Sequence, residues 1–563
     1  MDYDWLIIGS GFGGSISALR LSEKGYKVGV IEAGRRFEDE DFAESGWQLN
    51  RYLWAPLLGL RGIMRMTPFK DVFIASGAGV GGGSIVYANT LYRAKQEFFQ
   101  NPQWAALGDW EQELDQPYAV AEQMLGVNTV PFDSPGDKLL RDYAASIGRE
   151  DSFRRTPVAC YFGEPGKTVS DPYFGGEGPD RTGCIRCGAC MVGCRVGAKN
   201  TLMKNYLWFA EKNGAVILPD RQVTDIRPLG AADGSDGYEL SMRSPGLFRS
   251  GKKTLTARGV IVSAGALGTN RLLASCKHGG SLPNISDRLG QLVRTNSESV
   301  LAVSLPDDAL ETWRSVAISS SIHTDKDTHI ELVSYGEKGD VMNFFFTLIT
   351  GDGTRWTRVF CLFGNILRHP INFLKTLWPF GWSRKTVVLL VMQSLDNAIS
   401  FRAKRPWFGK GVRLGTEQDL EKPNPTYIDA GNKAAEWIAE QTGGVAQSML
   451  LEAVANIPTT AHILGGAAIG SDATRGVVDA DHHVFGYENL IICDGSVVPA
   501  NPGVNPSLTI SAMTERAMSK IPARTTEDIA APAQAARARV SVAADALNRE
   551  GPGRLPSVGG NNL

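Results

Sequence analysis

Four cysteines lie close together in the stretch "GCIRCGACMVGC", residues 183–194. Cys184, Cys187, Cys190 and Cys194 follow the spacing C-x2-C-x2-C-x3-C, which is typical of the ligands of an iron–sulfur cluster. The small residues between them let backbone amides face the sulfurs, so the run favours a [4Fe–4S] cluster, with Cys160 able to replace one ligand. A zinc site and free or paired thiols are the alternatives.

The N-terminal sequence contains a glycine motif that fits a dinucleotide. Gly9, Gly11 and Gly14 form G-x-G-x-x-G, and Glu32 follows near the end of the next predicted strand. Glycines let the backbone approach a pyrophosphate at the start of a helix, while the carboxylate accepts hydrogen bonds from a ribose. The motif predicts a bound dinucleotide, with a structural glycine turn as the alternative, and it does not separate FAD from NAD.

The elements that must position these residues are of two kinds. Residues 3–8 form an apolar strand pattern, residues 14–24 a helix pattern and residues 27–31 a second strand pattern, which together predict a βαβ unit in a parallel sheet. From residue 297 to about residue 416, short strand patterns joined by turns predict an antiparallel sheet.

Composition limits the class of protein. The chain has 563 residues, of which 43% are hydrophobic, and a net charge of −2, so a generally basic nucleic-acid surface is excluded and no nucleic-acid partner is expected. No apolar run approaches the ~20 residues of a membrane-spanning helix. Because the sequence begins at once with a strand pattern and not with an export signal, we expect a cytoplasmic protein with thiols or metal ligands in place of disulfides.

Two further stretches resemble the flavin-binding segments of a known family. The sequences "ASGAGVGGGSIVYANTLYR" (residues 75–93) and "NLIICDGSVVPANPGVNPSLTISAMTERA" (residues 489–517) are similar to segments of the glucose-methanol-choline (GMC) oxidoreductases, in particular their sterol oxidases. The resemblance implies an α/β fold, in which an FAD-binding Rossmann-like domain carries an inserted substrate domain built on an antiparallel β-sheet.

The resemblance also implies domain boundaries. The FAD-binding domain would be assembled from residues 1–100, 201–296 and 455–522, and the substrate-binding domain would comprise residues 297–454. Residues 101–200 would form a lid, connecting and cysteine-rich segment. The alanine-rich residues 523–563 have little to bury and are predicted to be a flexible tail.

Several cofactor-binding residues follow from the same resemblance. It implies that the flavin is contacted by residues of the middle glycine run, by a backbone position beside the adenine and by the C-terminal segment: Gly79, Gly82, Gly83, Ser84, Asn89, Val223, Asp494, Gly495 and Asn505. Where the sterol oxidases usually have Asn-Gly-Gly after the glycine run, this chain has Tyr-Ala-Asn at residues 87–89, so the contact near flavin N5 departs from the family pattern.

The catalytic residues implied by the resemblance are His462 in "TAHILGG" and Asn505 in "GVNP". Both would bind the substrate hydroxyl, and one would take its proton as hydride leaves for the flavin. Sterol oxidases also carry a buried carboxylate that converts the Δ5-3-ketone into the Δ4-3-ketone. Glu331 in "DTHIELVSY" is the candidate because it alternates with residues of the opposite face of a strand, and Asp396 is a reserve.

Two segments suggest an apolar substrate. Residues 353–395 contain no acidic residue and intersperse basic with aromatic side chains, and Pro370 should divide the region into two short helices. Residues 47–66 form a second apolar segment at the position of the family's substrate lid. Either both segments contact a membrane surface transiently, which would make the protein peripheral there, or they pack as ordinary cover helices.

The sequence therefore predicts FAD-dependent oxidation of the 3β-hydroxyl of a sterol or of another hydrophobic alcohol, with Δ5 to Δ4 isomerisation and O2 as acceptor. A first alternative is a dehydrogenase that passes electrons through a cysteine-bound cluster to an electron-carrier protein. A second alternative is a flavin electron-transfer or lipid-binding protein that turns over no alcohol.

Overall fold

The structure is a computed structural model that describes residues 1–246, 251–404 and 412–524. Two seven-stranded β-sheets organise this part of the chain. The tail predicted for residues 523–563 lies outside the described residues except for its first two positions. No described helix is long and apolar enough to cross a membrane.

The first sheet contains the predicted βαβ unit. Strand Tyr3–Ile8 lies between Val28–Ile31 and Lys253–Val262 and pairs with both in parallel. The long strand Lys253–Val262 also pairs in parallel with Leu490–Ile492 through its C-terminal half, and with an antiparallel hairpin through its N-terminal half. The other strands of this sheet are Val216–Leu218, Gln222–Pro228 and Tyr238–Arg243.

The strands of the first sheet are apolar because helices cover them. Helix Phe12–Glu23 is buried along ten of its twelve residues and packs against Tyr206–Lys212 and Ser507–Lys520. Helix Ser507–Lys520 packs in turn on Trp110–Leu125, and Gly265–Gly279 follows the long central strand. A continuous hydrophobic core between sheet and helices fixes the carboxyl ends of the parallel strands.

The second sheet is antiparallel, as the turn-linked strand patterns predict. It also recruits distant strands from both sides of the predicted region. The predicted strands at residues 399–404 and 413–418 form a separate hairpin. In spatial order the sheet contains Phe346–Leu348, Val445–Met449, Ser299–Ser304, Thr386–Gln393, Thr328–Val333, Ile318–His323 and Arg154–Arg155.

Helices cover one face of the second sheet. Asp137–Ser146 and Asp429–Thr442 pack on alternate residues of its central strands, among them Ile330 and Leu332. Residues between these positions project from the opposite face, and Glu331 is one of them. The predicted α/β class with an antiparallel second sheet is therefore confirmed.

The remaining helices and several small sheets lie outside the two large sheets. As predicted, Pro370 divides one helical region into Arg355–Arg368 and Pro370–Thr376. The other short helices are Leu49–Tyr52, Gln96–Phe99 and Leu450–Ala455. The small sheets pair Trp54–Ala55 with Leu60–Arg61, Met64–Pro68 and Thr459–Thr460 with Phe73–Gly77, Val127–Thr129 with Pro157–Ala159, Thr168–Val169 with Arg181–Thr182, and Ile399–Lys404 with Arg413–Gln418.

Candidate active site

The first glycine motif lies where strand Tyr3–Ile8 leads into helix Phe12–Glu23. Gly9 has a backbone φ of +100°, which residues with a side chain rarely adopt. Gly13 has no room for a side chain, because a Cβ there would lie 1.6 Å from the carbonyl oxygen of Cys493. The motif therefore packs the start of the helix tightly on the sheet, where helix N–H groups can meet an anion.

A second glycine loop faces the first. A Cβ placed on Gly11 would have the Cα of Gly82 as its nearest neighbour, at 3.9 Å, so little but backbone lies between them. The loops are also joined directly, because Gly81 N–H donates to Ser10 Oγ at 3.1 Å. The resulting bare backbone surface suits a dinucleotide. The second loop contains the predicted Gly79, Gly82, Gly83 and Ser84.

Glu32 follows the second strand of the βαβ unit and is buried. Its carboxylate accepts hydrogen bonds from Ser10 N–H at 3.0 Å, from Ser10 Oγ–H at 2.8 Å and from Gly34 N–H at 2.8 Å. These bonds hold the acid beside the first glycine loop. The prediction that Glu32 also binds a ribose is compatible with this position and stays a prediction.

Two neighbouring arginines, of which Arg65 lies near Glu32, were missed by the sequence reasoning. Arg65 has a buried Nε without a partner among the described residues, and burial, together with the nearby positive charge of Arg271, lowers its pKa. Burial also lowers the pKa of Arg271. Two neighbouring guanidinium groups that are poorly compensated fit the diphosphate of a dinucleotide. No local sequence signal marks either residue, because neither lies in a glycine motif.

The C-terminal segment closes the same site. Asp494 is buried, and its carboxylate accepts hydrogen bonds from Ser496 N–H at 2.8 Å and from the hydroxyl of Thr269, while burial raises its pKa. Gly495 accepts a backbone hydrogen bond from Gly465 at 2.8 Å. Val223 is buried at the irregular start of an edge strand. Their predicted contacts with the cofactor stay predictions.

His462 pairs with Glu298, a residue that the sequence reasoning did not select. The Nδ1 atom of His462 is in short hydrogen-bond contact with Glu298 Oε1, and Ala461 N–H donates to Glu298 Oε2 at 2.8 Å. Burial lowers the pKa of His462, but the charge and hydrogen bond of Glu298 outweigh it and raise the pKa above its usual value. The pair fixes the ring so that Nε2 is left for a substrate.

Glu331 and Asn505 meet on the inner face of the second sheet. Asn505 Nδ2 donates to Glu331 Oε2 at 3.2 Å, whereas Glu331 Oε1 and Asn505 Oδ1 have no partner in the described parts of the chain. Burial raises the pKa of Glu331 to about 8, although Asn505 and the nearby His462 lower it. A buried acid with one unsatisfied oxygen and a pKa near neutrality is suited to proton transfer.

The loop that leads to Asn505 is held by Asn296, which lies just before strand Ser299–Ser304 of the second sheet. Asn296 Nδ2 donates to the carbonyl oxygen of Val504 at 3.0 Å, and Asn296 Oδ1 accepts from Gly503 N–H at 3.0 Å. Glu298 lies two residues after Asn296. One short turn therefore positions both the partner of His462 and the loop of Asn505.

Asp396, the reserve candidate for proton transfer, is corrected by the structure. Its side chain is 46% exposed and forms ion pairs with Arg294 at 2.9 Å and Lys422 at 2.7 Å. Partial burial raises its pKa, but these two cations hold it at about 2. A carboxylate that stays ionised on the surface cannot exchange a proton with a buried substrate near neutral pH.

The cysteine run folds around one small cavity. Cys184, Cys187, Cys190 and Cys194 are free thiols, and together with Cys160 they line a cavity of about 20 Å³. In the described residues, no group of three or more His, Cys, Asp or Glu side chains is already arranged to hold a metal ion. The predicted [4Fe–4S] cluster therefore has no preformed ligand set in the structure. The predicted flavin contact Asn89 lines the same cavity.

The two apolar segments of the sequence meet in one exposed surface, called here the apolar surface. Trp47 stacks on Phe380 with a ring-centroid distance of 5.7 Å and contacts Phe344 edge-on at 5.8 Å. The first helix packs on the protein through the buried Leu362, as a cover helix does, but its outer face is apolar, since Phe360 is 74% exposed; the membrane contact stays a prediction. The apolar surface comprises Trp47, Phe344, Trp356, Phe360, Phe363, Leu367, Ile371, Leu374, Trp378 and Phe380.

Comparisons with known proteins identify the family. The two family models described as GMC oxidoreductase match residues 178–289 and 412–514. The chain is 47% identical to a cholesterol oxidase of Acinetobacter baumannii over 93% of this chain and 95% of that protein, and 47% identical to a cholesterol oxidase of Mycobacterium tuberculosis over 92% and 91%.

A structural comparison agrees on the fold. The crystal structure of pyridoxine 4-oxidase from Mesorbium loti superposes with a TM-score of 0.60 at 15% identity, covering 93% of this chain and 100% of that one. The full-length similarity to the curated relatives extends this agreement from fold to family. The chain therefore belongs to the GMC oxidoreductase family and is an FAD-dependent oxidoreductase that acts on a CH–OH group.

Proposed function

We propose that this protein oxidises the 3β-hydroxyl of a sterol to the ketone, moves the Δ5 double bond to Δ4 and uses O2 as electron acceptor. The observation that carries the proposal is the buried Glu331 near His462, which binds Asn505 through Oε2 and whose Oε1 has no partner among the described residues. The similarity to two cholesterol oxidases supports the same substrate class. FAD, when bound, supplies the acceptor for the hydride that leaves the alcohol carbon.

The oxidation step requires a group that takes the hydroxyl proton. His462 has Nδ1 engaged by Glu298, so Nε2 is the ring atom available to accept that proton. Asn505 Oδ1, which has no partner in the part of the chain that the structure describes, can accept a hydrogen bond from the same hydroxyl and restrict its rotation. Glu298 then stabilises the imidazolium that forms when His462 takes the proton.

The isomerisation step needs one carboxylate and no further cofactor. The ketone makes the C4 hydrogen acidic, so Glu331 removes a proton from C4 and returns it to C6, which leaves the total number of protons unchanged. The pKa of about 8 keeps this exchange close to balanced near neutral pH. Asn505 holds the second oxygen and thereby orients the carboxyl group.

The apolar surface offers a route by which a sterol reaches this site from a membrane. Its large side chains surround exposed basic residues such as Arg355, Arg368 and Lys375, and residues 353–395 contain no acid, a composition that complements anionic lipid. The buried Arg358 anchors the first helix by donating to Thr426 O at 2.6 Å, so the outer face stays exposed.

An aromatic contact and a strand pairing lead from the apolar surface towards His462. Phe345, next to Phe344, contacts Phe73 with a centroid distance of 6.3 Å. Phe73 pairs in register with Thr459, three residues before His462. We infer that the sterol moves along these apolar side chains, which would make the protein peripheral at the membrane.

Anaerobic titration of the flavin with alcohols tests the proposal. A Δ5 3β-hydroxysterol should bleach the flavin and yield the Δ4-3-ketone, whereas its 3α-epimer should not, and admission of air should restore the colour with formation of H2O2. Bleaching that persists in air until an artificial one-electron acceptor is added would favour the dehydrogenase alternative. Absence of bleaching by every alcohol would contradict enzymatic alcohol oxidation.

A further inference from the structure

The cysteine cavity has the composition of a metal-binding site. Five thiols from two separate segments line it, Cys160 from one and the four of the run from the other, and none of the five forms a disulfide in the described structure. In the described residues no three of these sulfurs are arranged around a common metal position, but a cysteine sulfur changes its position by rotation about a single bond, so the five thiols can approach one another in the cavity.

The backbone around the sulfurs is shaped for anionic ligands. Arg186 has a φ of +58°, and its N–H donates to Cys184 Sγ at 3.4 Å. Gly188 also has a positive φ, and a Cβ there would lie 2.6 Å from the carbonyl oxygen of Trp313. Backbone N–H donors of this kind stabilise metal-bound thiolates.

A buried cation lies beside the same cavity. Lys199 is 1% exposed and its Nζ donates to the carbonyl oxygens of Ile85 at 3.1 Å, Tyr87 at 2.8 Å and Cys190 at 2.9 Å. Within the described residues no carboxylate forms an ion pair with it, although buried charges in proteins are normally paired. Thiolates bound to a metal would supply the missing negative charge.

Two polar side chains in the cavity wall also lack partners. Both amide atoms of Asn89 and the hydroxyl of Ser315 are buried without a hydrogen bond in the described part of the chain. Most buried polar groups have a partner, so these atoms indicate a ligand that offers hydrogen-bonding atoms at this place. Coordinated sulfur or metal-bound water would satisfy them.

From these observations we propose that Cys184, Cys187, Cys190 and Cys194, with Cys160 as a fifth thiol, form a thiolate metal centre adjoining the second glycine loop. The contacts of Lys199 with Ile85 and Tyr87 place the cavity directly after that loop. The chemistry is that of a thiophilic metal, present either as a single ion or within an iron–sulfur cluster. The proposal does not depend on the sterol or on the acceptor.

Metal analysis of the full-length holoprotein tests the proposal. Protein produced with added iron and zinc and purified without air should retain at least one equivalent of metal per chain after gel filtration. Acid-labile sulfide together with iron would identify a cluster, and zinc or iron without sulfide would identify a single ion. Less than one tenth of an equivalent of any transition metal would overturn the proposal.

Serine substitutions locate the metal. Cys187→Ser and Cys194→Ser should each lower the metal content at least fivefold, whereas Cys361→Ser, which changes an exposed cysteine outside the cavity, should leave it unchanged. Flavin absorbance and a thermal melt establish that each variant is folded. If a variant does not fold, the wild-type protein treated with Co²⁺ should still show the long-wavelength bands of tetrahedral cobalt thiolate. Equal metal loss in all three variants, or no such bands, would contradict the assignment.

Discussion

Substitution of Glu298 by glutamine tests how far the charge of Glu298 supports proton transfer by His462. The change keeps the shape of the side chain but removes the charge that faces Nδ1 of His462. Hydrogen bonds to charged groups contribute ~1.5–3 kcal/mol, and the Glu298 side chain is fully buried, so solvent screens the contact little. Since 1.36 kcal/mol corresponds to a tenfold rate change, we expect flavin reduction to slow by about 10- to 100-fold.

The pH profile distinguishes this role from a purely structural one. Glu298 raises the pKa of His462, so its replacement must lower that pKa. In the proposed mechanism neutral His462 accepts the proton, so activity should fall as the pH drops through this pKa, and the acidic limb of the profile should move to lower pH in Glu298→Gln.

Stopped-flow reduction of the flavin by a saturated 3β-hydroxystanol is the suitable assay, because this substrate needs no isomerisation. Glu298→Asp serves as the control, since it keeps the charge and should retain the wild-type acidic limb more closely. An unchanged rate, or a slower rate with an unmoved acidic limb, would refute the assignment of Glu298 as the residue that positions and charges His462.

Three further outcomes follow from the site and the apolar surface. Glu331→Gln should oxidise a Δ5 sterol but release mainly the unconjugated ketone, while the control Asp396→Asn should form the conjugated ketone normally. In the wild type, the share of conjugated ketone should rise as the pH increases through about 8, because Glu331 then ionises. Chromatography that separates the two ketones measures the outcome of the substitutions and of the pH change. Normal isomerisation by Glu331→Gln would show that another residue transfers the proton. Arg65→Gln should raise the Kd for FAD by about 10-fold or more through loss of a charged contact, measured by flavin fluorescence, and an unchanged Kd would remove Arg65 from the cofactor site. Phe360→Ser should weaken binding to vesicles with anionic phospholipid by about 10-fold, as expected when one aromatic side chain is no longer buried in the lipid. The control Leu420→Ser, at an exposed position outside the apolar surface, should not weaken binding. Equal effects of the two changes in sedimentation assays would exclude the apolar surface as the contact.

Local patterns in the sequence predicted the parts of the structure that depend on local geometry. The βαβ unit, the helix break at Pro370 and the strand face of Glu331 all follow from periodicity and backbone restriction. The pairing of Glu298 with His462 joins residues 164 positions apart, and no periodicity encodes such a contact. For the same reason strands 154–155 and 445–449 entered the second sheet without a sequence signal.

The two carboxylates near His462 differ in function because their surroundings differ. Glu298 is in hydrogen-bond contact with the imidazole and accepts a hydrogen bond from a backbone N–H, so both of its oxygens are engaged. Among the described residues, Glu331 has only an amide donor on one oxygen and none on the other; burial raises its pKa, and the charge of Glu298 adds to this rise. A carboxylate held against the ring can stabilise a protonated imidazole, whereas an acid that titrates near neutrality, as Glu331 does, can give and take a proton. In the proposed mechanism, the carboxylate bound to His462 serves alcohol oxidation and the second carboxylate serves double-bond migration at the same site.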